Sequence, residues 1–292
     1  DVEKSRGLGD VYKRQVSDIT MTDGSGALPP ISKGALRSAR RLLSRRGRDE
    51  AGQFLAEGAQ AVREALRWPG RVSLLATCDP GRDVDFVAMA RQRGTRSVLL
   101  DEAQVETLSE TVTSQGLFAV CQRLASDELP VLEDPRLVVI CAQVRDPGNA
   151  GTVIRCADAF AADAVILTRG SVDPHNPKTV RASVGSFFHL PVSVGVDSVS
   201  AVRWAHDHGM QVLAADGGGD SLDELSRSGA LARPTAWLMG NEAWGLPEAE
   251  RNLADAIVGV PMWGRAESLN LSTAAGICLY ATASAQRAGG SD

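Results

Sequence analysis

The chain has 292 residues, of which 43% are hydrophobic and 23% carry a charge, and its formal net charge is −5. These values describe a globular protein with room for two domains of ordinary size. No apolar run approaches the roughly 20 residues of a membrane span, and the first segment lacks the pattern of a secretory signal, so we expect a cytoplasmic protein without a membrane partner.

Residues 1–30 are expected to lie outside the fold. Asp1–Gln15 has no clear periodicity and precedes the first methionine, Met21, and within it Arg6–Gln15 resembles translated adaptor sequence. Met21–Pro30 is rich in Gly, Ser and Pro, as flexible segments are. We interpret the whole stretch as a non-native or disordered leader.

A basic segment follows, Ser32–Arg48, with seven cations and no acid. Apolar residues recur in it at helical spacing while arginines occupy the other face, which predicts a basic helical surface. Local clustering of cations matters more for phosphate contacts than the total charge. The predicted RNA contacts of this segment are Arg40, Arg41, Arg45 and Arg46. The alternative is a solvated helix face.

Alternating helix and strand patterns predict a small α/β domain over residues 31–126. The helices are expected at Gly58–Trp68, Val84–Arg93 and Glu102–Ser109, and the strands at Val72–Thr77, Ser97–Leu100 and Leu117–Gln122. The acidic stretch Ala125–Pro135, with two prolines and few large apolar side chains, is the predicted linker.

Residues 134–292 are predicted to form a second domain. Short apolar strands separated by helix-length segments predict a mostly parallel sheet with helices on both faces. The strands are expected at Leu137–Cys141, Ala164–Leu167, Val192–Val194, Gln211–Ala214, Thr235–Met239 and Ala256–Val260.

Three segments of this second domain carry polar residues in turns next to strands: Asp146–Leu167, Leu238–Pro247 and Ile257–Tyr280. Loops at the carboxyl ends of strands are where open α/β sheets bind ligands. In this order, the three segments resemble the signature segments of the SpoU/TrmH-type RNA 2'-O-ribose methyltransferases. The resemblance is closest in kind to the thiostrepton-resistance enzymes, which methylate large-subunit rRNA.

The resemblance implies a fold, a cofactor and partners. The catalytic domain would be of the SPOUT type, an α/β fold with a trefoil knot in which S-adenosylmethionine (AdoMet) binds, and its active site would be completed across a homodimer. The small first domain, through Phe54–Leu66, resembles ribosomal RNA-binding proteins. The expected activity is AdoMet-dependent 2'-O-methylation of rRNA, with tRNA as the second choice of substrate.

The resemblance also implies site residues. The implied catalytic residues are Asn149, Arg155, Glu242, Ser268 and Asn270, those in contact with AdoMet are Met239, Gly240, Val260 and Leu269, and those facing RNA phosphate are Lys178 and Arg181. Plainer alternatives exist for three of them. Arg155 could be an exposed helix arginine, Glu242 a carboxylate at a helix N-terminus, and Ser268 a helix N-cap.

Arg155 is the central residue of this set, and two roles are open for it. The simplest account makes it a general base. A guanidinium, however, keeps its charge throughout the accessible pH range. That property favours a grip on the phosphate beside the target ribose and stabilisation of the developing alkoxide.

No metal site is expected. The five cysteines are scattered without Cys-x-x-Cys spacing, and His206 and His208 are explained by a solvated helix end. Two other functions stay open. One is an RNA-binding protein on a degenerate methyltransferase fold, which would need no AdoMet. The other is a Rossmann-type nucleotide enzyme, for which Gly217–Gly219 is a weak motif because its spacing is wrong.

Overall fold

The computed structural model describes residues 27–111, 113–241 and 244–288, and within them the chain forms two β-sheets. Residues 1–26, and with them most of the predicted leader, lie outside the described residues. The last residues of that predicted leader belong to the fold. Leu99 donates its backbone N–H to the carbonyl oxygen of Pro29 at 2.8 Å, and Ile31 donates to Leu99 at 3.0 Å. The chain therefore joins the first sheet earlier than predicted.

The first sheet has four strands in the order β1–β4–β2–β3. Its strands are β1 (Gln53–Glu57), β2 (Val72–Thr77), β3 (Arg96–Leu99) and β4 (Leu117–Gln122), and its helices are α1 (Lys33–Arg41), α2 (Arg45–Ala51), α3 (Ala59–Arg67), α4 (Val84–Gln92) and α5 (Glu102–Leu108). Strand β4 runs antiparallel to β1 and β2, whereas β2 and β3 are parallel.

The basic segment forms two short helices, α1 and α2. Ser32 and Ser44 cap them, each side-chain oxygen accepting a backbone N–H from three residues further on. The chain turns so tightly between the helices that a Cβ at Gly47 would lie 1.9 Å from the carbonyl oxygen of Arg41, a clash that glycine avoids. This turn directs Arg48 inward, where it is buried.

The second sheet has six strands in the order β10–β8–β9–β5–β6–β7, and all neighbouring pairs are parallel. Its strands are β5 (Leu137–Cys141), β6 (Ala164–Thr168), β7 (Val192–Val196), β8 (Gln211–Ser221), β9 (Thr235–Met239) and β10 (Ala256–Gly259). Its helices are α6 (Pro147–Ala159), α7 (Pro177–Ala182), α8 (Ser198–Asp207), α9 (Leu222–Ser228), α10 (Glu248–Arg251) and α11 (Leu271–Ala288). The predicted parallel α/β architecture is confirmed.

Strand β5 shows why this sheet has its apolar sequence pattern. Val139 and Cys141 pack into one core cluster, whereas Val138 and Ile140 pack into another. A parallel sheet covered by helices on both faces requires apolar side chains in both directions. The continuous apolar run of β5 meets that requirement, and every residue in it is buried.

The carboxyl ends of β10, β8, β9 and β5 lie side by side along one edge of the second sheet. Between β8 and β10 the register breaks, because the partner of Ile257 is Ala214 whereas the partner of Val258 is Asp220. A Cβ at Gly219 would lie 2.1 Å from the carbonyl oxygen of Ile257. The glycine therefore permits close approach of the two strands at the edge where such sheets bind ligands.

A buried ion pair joins α2 to the loop before α7. Arg48 is only 2% exposed, contacts Asp173 at 2.7 Å, and also donates to the carbonyl oxygens of Leu42 and Leu43. Burial disfavours the ionised form of Asp173, but hydrogen bonds from His175 and the charge of Arg48 outweigh it and hold the pKa of this carboxyl well below its usual value. Both buried charges therefore have hydrogen-bond partners besides each other: Arg48 has two backbone carbonyl groups, and Asp173 has His175.

His175 extends this buried junction to the segment between the sheets. Its Nδ1 lies 3.2 Å from Asp173, and its Nε2 accepts the backbone N–H groups of Leu124 at 3.0 Å and Ala125 at 3.2 Å. Because Nε2 accepts, the ring is neutral with its proton on Nδ1. Burial lowers the pKa of His175 and outweighs the opposing effect of Asp173.

A second ion pair crosses the junction between Glu57 and Arg181. The Glu57 carboxylate, at the end of β1, is buried and lies 2.8 Å from the guanidinium of Arg181 on α7. The hydroxyl groups of Ser109, Thr111 and Ser114 donate to its other oxygen. The first sheet is therefore bound to α7 by a carboxylate that has hydrogen bonds on every side.

A third contact across the junction depends on pH. The His189 ring lies 3.1 Å from Glu64 on α3 and 2.8 Å from Asp158 on α6. Partial burial disfavours the charged ring, but Asp158 and Glu64 outweigh it and raise the pKa of His189 above its ordinary value of 6.5.

His189 is therefore expected to stabilise the fold below pH 6.5, and this contribution is lost as the pH rises through the raised pKa. We expect His189→Gln to lower the melting temperature more at about pH 6 than at about pH 9. Thermal unfolding at both pH values measures this, with His208→Gln, a histidine outside the junction with no carboxylate partner among the described residues, as the control. An equal loss at both pH values would contradict the assignment.

Candidate active site

Helix α6 begins at Pro147, and its cap orders the first of the three polar segments. Asp146 accepts the backbone N–H of Asn149 at 2.7 Å, while Pro147 at the first helical position has no N–H to satisfy. The bond from Asn149, opposed by partial burial and assisted by Lys178 at 3.4 Å, lowers the pKa of the Asp146 carboxyl. The cap places Asn149 in the first turn, with Arg155 less than two turns further on.

Asn270 orders the start of α11 and joins it to α6. Its Oδ1 accepts the backbone N–H of Ser272 at 2.9 Å and the Ser272 hydroxyl at 2.7 Å. Its Nδ2 donates to Oδ1 of Asn149 at 3.0 Å, across 121 residues of sequence. The structure thus brings together two of the predicted site residues from the first and third segments.

Ser268 is exposed and lies two residues before this contact. The alternative that made it an ordinary helix cap is wrong, because Asn270 occupies the capping position of α11. Ser268 therefore lies in the loop that precedes the helix. Its predicted place in the site stays a prediction.

Arg155 is exposed on α6. Among the described residues no hydrogen bond or ion pair holds its guanidinium, so it is available to a ligand. The backbone of the helix is fixed from behind, since a Cβ at Gly151 would lie 2.4 Å from the carbonyl oxygen of Thr179 on α7. The exposed cation therefore projects from a helix that cannot shift readily.

The second segment folds into a tight turn after β9. Asn241 and Gly245 exchange backbone hydrogen bonds of 2.9 Å, and a Cβ at Gly240 would lie within 2.5 Å of the Gly245 backbone. Asn241 Nδ2 donates to the carbonyl oxygen of Gln143 at 2.6 Å, which joins this turn to the chain after β5. Glu242 lies outside the described residues, so its predicted catalytic role stays a prediction.

Sequence reasoning gave no role to Asn241 or to the glycine-rich segment Asp216–Gly219. A Cβ at Gly259 would lie 3.4 Å from the carbonyl oxygen of Asp216 and 3.8 Å from the backbone nitrogen of Gly218, so this segment borders the end of β10. The only signal in the sequence was the triple glycine, whose spacing matched no nucleotide motif.

The residues predicted to contact AdoMet follow the same edge of the sheet. Met239 is fully buried, and its carbonyl oxygen accepts the backbone N–H of Ala142 at 2.8 Å. Val260 and Leu269 are half-buried, and Val260 packs against the core. Backbone groups and apolar side chains from three adjacent strand ends suit a ligand that joins a flat apolar base to polar groups.

The predicted RNA contacts differ in their partners. Arg40, Arg41, Arg45 and Arg46 are all exposed. Arg41 and Arg46 both contact Glu50, and Arg45 lies 3.9 Å from Asp49. Arg40 has no ion pair within the described residues. Lys178 lies near Asp146, and Arg181 pairs with Glu57, so both cations already face carboxylates of this chain.

Two further observations bear on the class of site. In the described ranges no three His, Cys, Asp or Glu side chains are placed to hold a metal ion. None of the helices in those same ranges has the length and apolar character needed to cross a lipid bilayer.

Two family models match the chain, one for each sheet. The model of the SpoU rRNA Methylase family matches residues 136–280, and that of the MRM3-like substrate binding domain matches residues 34–119. The first match contains Asn149, Arg155 and Asn270, and the second contains most of the first sheet and its helices.

Similar proteins cover nearly the same length. The 23S rRNA (guanosine(2553)-2'-O)-methyltransferase RlmP of Bacillus subtilis is 35% identical over 82% of this chain and 92% of its own. The 23S rRNA (uridine(2479)-2'-O)-methyltransferase of Streptomyces viridochromogenes is 34% identical over 82% of this chain and 85% of its own. The AdoMet-bound rRNA methyltransferase of Sinorhizobium meliloti superposes with a TM-score of 0.73 at 32% identity, covering 87% of this chain and 96% of that structure.

Proposed function

This chain belongs to the SpoU rRNA methylase family, and on that basis we propose that it transfers a methyl group from AdoMet to a ribose 2'-hydroxyl of 23S rRNA. The observation that carries the proposal for this chain is the 3.0 Å contact between Asn149 and Asn270. It joins the first and third polar segments at the N-terminal ends of α6 and α11, and the exposed Arg155 lies six residues beyond Asn149 on α6.

The residues at this edge fit AdoMet. The backbone of Gly240 and the half-buried Val260 and Leu269 would hold it, together with Asp216–Gly219, which sequence reasoning did not include. When bound, AdoMet supplies an electrophilic methyl group. No metal is needed for that transfer, and the proposed site consists of backbone groups, amides, one guanidinium, one carboxylate and one hydroxyl.

In this proposal, Arg155 binds the phosphate next to the target ribose and stabilises negative charge on the 2'-oxygen. Its planar fork can hold a phosphate through two parallel hydrogen bonds. The Asn149–Asn270 contact fixes the position of α6 relative to α11. It would thereby fix the position of the Arg155 guanidinium relative to the loops that hold the cofactor. Glu242 and Ser268 complete the proposed polar set.

We place the RNA-binding domain within residues 31–126 and the catalytic domain within residues 134–292. A separate substrate domain favours a large structured RNA such as rRNA over tRNA. Since that substrate belongs to the ribosome, we propose a cytoplasmic location. The trefoil knot that the family implies would lie in the second domain.

A homodimer completes the proposal. The apolar groove between α6 and α11 has a volume of about 440 Å³ and is lined by Thr152, Cys156, Ser272, Thr273, Gly276, Ile277 and Tyr280. Tyr280 on this face is 61% exposed. A second copy that covers the groove would bring its own α6, and with it Arg155, close to the partner's site.

Two measurements test this function. Titration calorimetry with AdoMet should show binding, which neither a non-catalytic RNA-binding protein nor a nucleotide enzyme that uses NAD requires. Tritiated methyl transfer into unmodified 23S rRNA, followed by nuclease mapping, should place the label on one ribose. Absence of AdoMet binding would refute the proposal, and labelling of tRNA alone would redirect it to the alternative substrate.

Cations of α1 that have no carboxylate partner among the described residues are expected to contact RNA phosphate. Arg37 and Arg40 are both exposed and lie one turn apart. Replacing both with alanine should weaken RNA binding and reduce the slope of log affinity against log salt by about 2. The matched control replaces Arg203 and Arg227, exposed arginines on α8 and α9. If the two double variants have the same slope of log affinity against log salt, the arginines of α1 do not contact RNA and form a solvated helix face.

A further inference from the structure

An exposed tryptophan stacks with an arginine at the ligand edge of the second sheet. The guanidinium carbon of Arg145 lies 4.9 Å from the ring centre of Trp244, and the Trp244 side chain is 48% exposed. Arg145 is itself exposed. One face of this pair thus remains open to a further flat group.

The pair lies in the loops that follow two adjacent strands, β5 and β9, near the proposed active site. Arg145 follows β5 and directly precedes Asp146, which caps the helix that carries Asn149 and Arg155. Trp244 lies in the turn after β9, the strand that pairs with β5. A group stacked on the indole is therefore next to the groups that we assign to methyl transfer.

Hydrogen bonds hold the two loops in place. The Asn241 side chain joins the Trp244 turn to the carbonyl oxygen of Gln143 at 2.6 Å. Gln143 has a φ of 53°, which is strained for a residue other than glycine, and its N–H donates to the Thr168 hydroxyl at 3.1 Å. Val144 donates to the Ser171 hydroxyl at the same distance. The surrounding structure thus maintains a costly backbone conformation that places Arg145 against the indole.

We propose that Arg145 and Trp244 form a stacking site for an unpaired RNA base adjacent to the methylated nucleotide. Proteins that read single-stranded RNA stack its bases on aromatic rings and on guanidinium planes. This inference rests on the proposed function, because it assigns a neighbour of the same substrate ribose.

A base fits this site better than a second copy of the chain does. Within the described ranges no carboxylate pairs with Arg145, so a protein partner would have to desolvate that charge or supply an acid. The apolar groove between α6 and α11 already provides a face suited to a second copy. Stacking on an indole is also tolerant of sequence, so the site suits any flanking base.

The test is equilibrium binding of an unmodified 23S rRNA transcript to the full chain. Trp244→Ala is expected to weaken binding at least about fivefold, as loss of one stacked base does. The salt slope should stay unchanged, because no phosphate contact is removed. Trp244→Phe keeps an aromatic face and should stay within about threefold of the original affinity. The matched control is Val199→Ala, an apolar side chain 55% exposed on α8, outside both the proposed site and the RNA-binding domain, which should have no effect.

Arg145 variants separate stacking from simple charge. Arg145→Lys keeps the charge without the planar group, so it should weaken binding as Arg145→Ala does. If Arg145→Lys binds normally while Arg145→Ala reduces the salt slope by about one, the arginine is a phosphate contact and the stacking site is refuted. Should Trp244→Ala fail to fold by circular dichroism, Trp244→Leu replaces it, with the same expected loss.

Two other outcomes would overturn the proposal. Unchanged RNA affinity in both Trp244→Ala and Trp244→Leu would show that no RNA base stacks on the Trp244 indole. Loss of dimer in sedimentation experiments, with RNA affinity retained, would assign the indole to a second copy. If the unaltered protein binds AdoMet and methylates rRNA in the same series, either result refutes only the stacking site. Failure of the unaltered protein to methylate would instead refute the proposed function.

Discussion

Replacing Arg155 with alanine is expected to lower methyl transfer by about 100- to 1000-fold, the usual loss when one stabilising donor is removed from a developing oxyanion. AdoMet affinity should change by less than about threefold, because Arg155 lies on helix α6 whereas the loops that would hold the cofactor follow strands β9 and β10. Single-turnover transfer of tritiated methyl groups into 23S rRNA measures the first quantity, and titration calorimetry measures the second.

Arg155→Lys is expected to fail almost as completely, because an ammonium cannot reproduce a two-bond grip on phosphate. Arg203→Ala, another exposed helix arginine, provides the matched control and should keep full activity. Near-normal turnover in Arg155→Lys would refute the phosphate grip. Equal losses of methyl transfer and AdoMet affinity in Arg155→Ala would move this arginine to the cofactor site.

Replacing Arg48 with alanine should lower the free energy of unfolding by about 3–5 kcal/mol, because it leaves the buried Asp173 carboxylate without its counter-charge. The backbone carbonyl groups of Leu42 and Leu43 would also lose their donor. Urea unfolding at neutral pH, followed by circular dichroism, measures the change.

Arg46→Ala is the matched control for this prediction. Arg46 lies two residues away and also pairs with a carboxylate, Glu50, but both of those side chains are exposed, so a loss of at most about 0.5 kcal/mol is expected. A change below about 1 kcal/mol in Arg48→Ala would show that water reaches Asp173.

Local sequence patterns predicted most of the fold. The bounds of β2 and β4 coincide with the predicted strands, because short apolar runs there end at turn residues. Strand β1 was not predicted, since its five residues lie between a basic helix and Gly58 and show no pattern of their own. Its conformation depends on pairing with β4, which comes some sixty residues later.

The site was predicted in part. Motif resemblance identified Asn149 and Asn270, and their side chains meet. The contacts that fix the site geometry, such as the bond from Asn241 to Gln143, join residues 98 positions apart, and neither residue has a pattern that indicates its partner. Arg48 shows the same limit. Its place in a basic run predicted exposure, yet a partner 125 residues away holds it in the interior.

The two sheets cannot swing apart without a large free-energy cost, since separation would strip Arg48, Asp173 and Glu57 of their counter-charges. The fold therefore fixes the distance between the cations of α1 and the amide pair of Asn149 and Asn270. In the proposed function, an RNA bound to the cations of α1 presents to the amide pair only the nucleotide that lies at that distance. On that proposal, the target nucleotide is selected by its distance along the folded RNA from the nucleotides bound at α1, and not by its base.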